Sequence, residues 1–242
     1  VIENGYYEMS DTLALVRKDD TQTADFIREK FAIPHQVVTI DESSVLIVDD
    51  RQRRWRLPLG DENYTKLIGQ DVVRICREVA TERDLFNCHG TFYELPAENA
   101  DGYAKIRPIA SHNFRINDYA SYRGMLVMTG IDPKKDKDNE HIIVSEDGKA
   151  AVWAGAIDDL WSMGKPTGKG GPWKNTLVKA GEVSDPYLIG FYDKKNLTLS
   201  HNSQKDVTFT IEIDPTGNGK WVNYNINQFR QASSHIFSQK SA

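Results

Sequence analysis

Cysteine is scarce: Cys76 and Cys88 are the only two in 242 residues. A disulfide framework is therefore excluded, and the pair reads as partly buried thiols with one isolated bridge as the alternative. Long apolar runs are also missing. None approaches the roughly 20 residues that a helix needs to cross a bilayer. Positive charge is not in excess, with 30 Lys and Arg against 35 Asp and Glu and a net charge of −5. That balance argues against a general nucleic-acid binder. Helical periodicity is confined to Thr23 to Phe31, where Ala24, Ile27, Arg28 and Phe31 follow a 3–4 spacing. The stretch Gly164 to Gly171 is rich in Gly and Lys but lacks the order of a phosphate loop and a following helix, which excludes a nucleotide site there.

What is present is a folded composition, 39% apolar, 27% charged and 10% aromatic. The length allows one large domain or two smaller ones. The opening Val1-Ile2-Glu3-Asn4 reads as the start of a processed or truncated product, so the missing leader carries no information about secretion.

Short β-rich runs alternate with turn clusters. Strands are expected at Thr12 to Val16, Gln36 to Ile40, Ser44 to Val48, Arg53 to Leu57, Asp71 to Arg77 and Gly90 to Glu94. More are expected at Gly124 to Thr129, His141 to Ser145, Ala150 to Ala154, Tyr187 to Phe191, Leu197 to Ser200, Val207 to Ile213 and Lys220 to Asn225. The separating turns, such as Asp49-Asp50, Asp147-Gly148 and Pro215 to Gly219, supply residues that tolerate positive φ or bond back to their own backbone. Val45 to Trp55 and Ile142 to Trp153 are similar: strand, acidic tight turn, strand, Trp, with a fainter echo at Tyr192 to Leu199. Hairpins repeated in this way predict an all-β fold, a propeller with about five blades at roughly 40–50 residues each. Residues 1–232 form the propeller portion in this reading, and 233–242 a C-terminal tail, with a closing strand or disorder after Phe229.

Chemistry is concentrated between Phe86 and Met128, where two of the six His fall with Arg107, Arg123 and several Tyr. Groups at strand ends are where sites usually collect. His89 is a candidate general base, or a zinc ligand helped by His112. Neighbours on a strand point to opposite faces, so Cys88-His89 is not itself a metal motif. Arg107 and Arg123 can fork onto a carboxylate, or form salt bridges between sheets. Tyr119 and Tyr122 are candidate proton donors, or packed tyrosines with satisfied hydroxyls. The adjacent Asp158-Asp159 do not supply the two separated carboxyls of a glycosidase and read as turn formers. Lys165 to Trp173 reads as a lid with Trp173 as a stacking platform, or as a surface loop.

The motifs His89-Gly-Thr-Phe-Tyr-Glu-Leu-Pro96, Ile106-Arg-Pro…His112, Asp118-Tyr-Ala-Ser-Tyr-Arg-Gly124, Asp158-Asp-Leu-Trp161 and Gly170-Gly-Pro-Trp173 resemble those of secreted bacterial β-propeller proteins. These are best known from gut Bacteroidetes and are related to propeller rhamnosidases and propeller ulvan lyases. The resemblance runs from about Leu85 to Tyr224. It implies a carbohydrate-active propeller that is secreted or periplasmic, most simply a glycoside hydrolase. A polysaccharide lyase or a non-catalytic glycan binder are the alternatives. Such propellers have around seven blades, so the chain is expected to be part of one, completed by the N-terminal part of the same propeller or by another copy. The implied catalytic set is His89, His112, Tyr119 and Arg123, and the substrate-binding set is Arg107, Arg115, Trp161 and Trp173. No cofactor is predicted, apart from the open question of a metal near His89. His89, Arg107, His112 and Arg123 are expected to converge in one cleft.

Overall fold

Alternating polar and apolar residues dominate the chain, and in the computed structural model they form small antiparallel sheets. The structure describes residues 5–30, 38–62, 64, 74–77, 84–97, 100–135, 138–229 and 234–240. Strand accounts for 40% and helix for 9% of the protein, so the all-β expectation holds. No barrel is closed among the described residues.

The strands run β1 (Tyr6–Met9), β2 (Leu15–Lys18), β3 (Val38–Ile40), β4 (Val45–Val48), β5 (Arg54–Leu57), β6 (Arg74–Arg77), β7 (Asp84–Cys88), β8 (Thr91–Glu94) and β9 (Arg107–Ser111). They continue with β10 (Asp118–Tyr122), β11 (Met125–Ile131), β12 (Ile142–Val144), β13 (Ala151–Gly155), β14 (Lys194–Ser200), β15 (Val207–Ile213), β16 (Val222–Phe229) and β17 (Ser234–Lys240). Helix α1 (Thr21–Lys30) begins where Asp20 caps it, its carboxylate accepting from the Thr23 N–H and hydroxyl. Ala24, fully buried, is its anchor.

Three sheets stack through their side chains. In β7, Leu85 and Asn87 point to one face and Phe86 and Cys88 to the other, as strand alternation requires. Leu85 and Phe92 join a core with Ile116, Tyr119, Leu126, Met128, Trp153 and Leu160 of the β10–β13 side. Phe86, Cys88 and Tyr93 join a second core with Val45, Ile47 and Leu57 of the β3–β5 side. Strands β7 and β8 are thus buried on both faces. Hairpin β1–β2 covers the far face of the β10–β13 sheet through Leu15, Ala150 and Val152. The order in that sheet is β10-β11-β13-β12, with β12 at its edge. The last four strands are nested, β15 pairing with β16 and β14 with β17, so the segment after Phe229 contains a strand, Ser234–Lys240.

Both expected hairpins of the repeat form, β4–β5 and β12–β13. The third echo does not, because Lys194–Ser200 is one unbroken strand. Nor does Tyr187 to Phe191 form a strand. It belongs to an irregular segment, residues 163–193, laid along the edge of β5. The Arg56 N–H donates to Pro186 O, and the Leu188 N–H to Arg56 O. Leu59 and Lys169 exchange both backbone bonds at 2.8 Å, and the Gly171 N–H donates to Ser43 O. Charge ties the same contact: Arg56 reaches Asp41 at 2.9 Å and Asp185 at 2.8 Å, while Arg54 reaches Asp185 at 2.8 Å. This strap forms one wall of the cleft described next.

Candidate functional site

Tight turns place the first groups. His89 and Gly90, with φ of 49° and 77°, make the two-residue turn between β7 and β8. Both central residues of such a turn need positive φ, which histidine tolerates better than most residues and glycine accepts freely. Gly60 lies against this turn. A Cβ there would fall 2.0 Å from His89 O, so only glycine permits the approach. The Gly60 N–H donates to His89 Nδ1 at 2.9 Å. Burial lowers the His89 pKa below its ordinary value and keeps the ring neutral.

His112 follows β9 and is buried at 7% exposure. Its Nε2 lies 2.8 Å from Asn87 Oδ1 and its Nδ1 3.2 Å from the Tyr64 hydroxyl. The Tyr64 hydroxyl donates to Phe114 O at 2.6 Å. Burial pushes the His112 pKa down to about 3. It is a neutral organiser with both nitrogens engaged.

Above His112 the surface opens into two adjoining cavities. One, about 600 Å³, is lined by Gly60, Asp61, Glu62, Ser111 and the strap from Met163 to Lys169. The other, about 520 Å³, is lined by Phe114, Asp138 to His141, Trp153, Ser162 and Met163. His112, Asn113 and Met163 border both, so the pair reads as one cleft with His112 at its waist. Strap contacts set the first wall: the Ser111 N–H donates to Gly164 O, and the Thr167 N–H to Ser111 Oγ at 2.9 Å. Lys169 pairs with Glu62, and Lys165 with Asp193 at 2.5 Å.

The second cavity holds a group that sequence reasoning missed. His141 packs on Trp153 with ring centroids 4.9 Å apart. Its Nδ1 lies 3.2 Å from Ala154 O and 4.0 Å from Asp159 Oδ2. Asp159 starts the chain into a short 3-10 helix (Ile157–Ser162), accepting from the Ala156 N–H at 2.6 Å. Gly155 makes this meeting possible: a Cβ would sit 2.8 Å from His141 Nδ1 and 2.9 Å from Asp159 Oδ2. The available sequence signals were a His that opens a strand after the acidic Asp138 to Glu140 run and a Trp-x-Gly on the paired strand. Asn87 and Tyr64 had no signal, since their partners lie 25 and 48 residues away.

The structure brings His89 and His112 together, each beside the Tyr64 ring at 5.8 and 5.9 Å, but not the arginines. Arg107 sits at the far end of β9 from Ser111, roughly 13 Å along the strand. There it pairs with Glu94 at 2.7 Å and lies over the Phe191 ring. Arg123 occupies the β10–β11 turn with φ of 51° and pairs with Asp11 at 2.5 Å. The four-residue convergence therefore does not form. Tyr119 is a core residue at 1% exposure, its hydroxyl accepting from the Asn87 N–H and donating to Leu85 O. That position removes it from proton donation in the cleft. Arg115 is exposed between β9 and β10, Trp161 is 67% exposed on the 3-10 helix, and Trp173 is half-buried in the strap. None of these three lines either cavity. Among the described residues no group of three or more His, Cys, Asp or Glu is placed to hold a metal.

No family model matches the chain, and no curated protein or solved structure gives a significant match. The geometry stands alone as the basis for a functional reading. No described helix is long and apolar enough to cross a membrane.

Proposed function

We propose that the protein is a carbohydrate-active propeller portion, secreted or periplasmic, that hydrolyses a neutral complex glycan in the cleft over His112. The carrying observation is the character of the cleft walls. Asp61 and Glu62 line one cavity, Asp138 and Glu140 the adjoining one, and the lysines present are Lys165 and Lys169, each already paired with a carboxylate. Carboxyls in both cavities flanking His112 support acid–base cleavage of a glycosidic bond, which the adjacent Asp158-Asp159 could not provide. A lyase needs a free cation to neutralise a uronate, and Arg107 and Arg123 lie elsewhere. The cavities fall within the range of about 300–1,000 Å³ usual for small-molecule sites. The stacked sheets and the simple up-and-down order of β6–β9 support the propeller reading, completed by further blades from the same or another chain.

Incubation with a panel of neutral and uronate-containing polysaccharides tests this. New reducing ends without an ultraviolet-absorbing unsaturated sugar, from neutral glycans, are the expected result. An unsaturated product would replace the hydrolase reading by the lyase. Saturable binding with neither product would leave a glycan-binding protein.

A further inference from the structure

The cleft contains two imidazoles, and only one of them has a nitrogen to spare. His112 has both ring nitrogens engaged, by Asn87 and Tyr64. His89 lies under Gly60 with Nδ1 occupied and borders neither cavity. His141 differs. Ala154 O can only accept, so the hydrogen of the neutral ring is on Nδ1. The lone pair is then on Nε2, which has no protein hydrogen-bond partner among the described residues. Trp153 fixes the ring plane from one side, and Asp159 stands 4.0 Å from Nδ1. A fixed tautomer and a fixed plane are what a proton acceptor requires.

We propose that His141 is the proton acceptor of this cleft, with Asp159 and the Ala154 carbonyl as its positioning groups. The role in catalysis rests on the hydrolase reading above. In that reaction a water O–H breaks as Nε2–H forms, and the water oxygen bonds to the anomeric carbon as its bond to the leaving oxygen breaks. The leaving oxygen takes its proton from a protonated carboxyl lining the cleft, and the proton held by His141 passes through solvent to restore that carboxyl, so that only water is consumed. The charged or titratable groups facing His141 are Asp138 and Glu140 from its own loop, Asp159 from the 3-10 helix and His112 across the waist.

Two measurements need no substrate. Long-range ¹H–¹⁵N spectra of the histidine rings are expected to show His141 as the Nδ1–H tautomer. Diethyl pyrocarbonate, followed by peptide mapping, is expected to acylate it ahead of the buried His89 and His112 and of the half-buried His201, whose ring nitrogens are shielded. The opposite tautomer, or a protected His141, overturns the proposal whether or not a glycan is cleaved. Where the wild type cleaves a glycan, His141→Gln is expected to lower kcat by about 100-fold or more with little change in KM. Asp159→Asn is expected to loosen the ring, seen as a mixture of tautomers in the same ¹H–¹⁵N spectra. A folded His141→Gln protein with wild-type kcat overturns the proposal and leaves the hydrolase reading intact. Absence of any cleavage by the wild type removes the hydrolase reading instead, and the tautomer and acylation results then decide whether His141 is the proton acceptor.

Discussion

Single residues decide how the cleft responds to pH. His112 is neutral and deeply buried, with a folded-state pKa of about 3 against an ordinary 6.5. The unfolded chain therefore binds the extra proton between those values, and stability must rise with pH across that window. The contribution is complete above about 6.5 and is lost as pH falls toward 3, at up to about 1.4 kcal/mol per pH unit. His89 acts in the same direction. Urea titrations at several pH values between 3 and 7 should show the decline, and His112→Gln should flatten it while lowering stability overall. At this scale the sequence was readable for residue type and silent on partners. His112 follows the Ile-Arg-Pro motif and lines the cavities, yet Asn87 and Tyr64, which hold it, come from distant segments. Tyr119 takes the packed one of its two alternatives, and what decides it is not local: its hydroxyl is satisfied by the backbone of a neighbouring sheet, a contact that no local pattern announces.

Elements were more legible, because alternation and turn chemistry are local. Val207–Ile213 and the two acidic-turn hairpins follow directly from their patterns. Asp84–Cys88, Arg107–Ser111 and Asp118–Tyr122 did not, since their polar and aromatic residues drew the eye as chemistry when they are strand residues packing between sheets. The same bias hid two matching turns. His89-Gly90 and Arg123-Gly124 have the same backbone form, with both glycines at φ of 77°. Their surroundings differ sharply. A Cβ on Gly124 meets nothing within 4 Å, whereas one on Gly90 falls 2.4 Å from the Tyr64 ring and 2.9 Å from His112 O. Gly124→Ala should therefore cost only the conformational strain, about 1 kcal/mol. Gly90→Ala should add a clash and cost ~3 kcal/mol. Thermal or chemical unfolding of the two variants side by side measures the difference, and equal losses would show that the Tyr64–His112 packing is slack.

For the molecule as a whole, the strap is the element that makes a cleft out of a stack of sheets. The Arg54–Arg56–Asp185 contact is its strongest tether, with Arg56 also engaged by Asp41. Burial alone would raise the Asp185 pKa, but the hydrogen bonds from Arg54 and Arg56 outweigh it and hold the carboxyl below its ordinary value. Asp185→Asn should weaken the tether by about 1–2 kcal/mol. Limited proteolysis is then expected to cut within residues 163–193 several-fold faster, with the sheets left intact. Unchanged cutting would show that the backbone bonds at Leu59 and Arg56 suffice. Nothing in the local sequence predicts this docking, because the partners of the strap are set by the order in which the sheets stack.

That docking also has a timetable. Until the strap arrives, β5 presents an unpaired edge, the kind of surface that recruits strands from other chains. Its principal tether joins Arg54 to a residue 131 positions later. At ribosomal rates of about 5–20 residues per second, the β5 edge emerges roughly 7 to 26 s before its cover. A nascent chain of this protein is therefore most vulnerable to mispairing in the interval between the β3–β5 sheet and the strap, which is when a chaperone that shields strand edges would matter most.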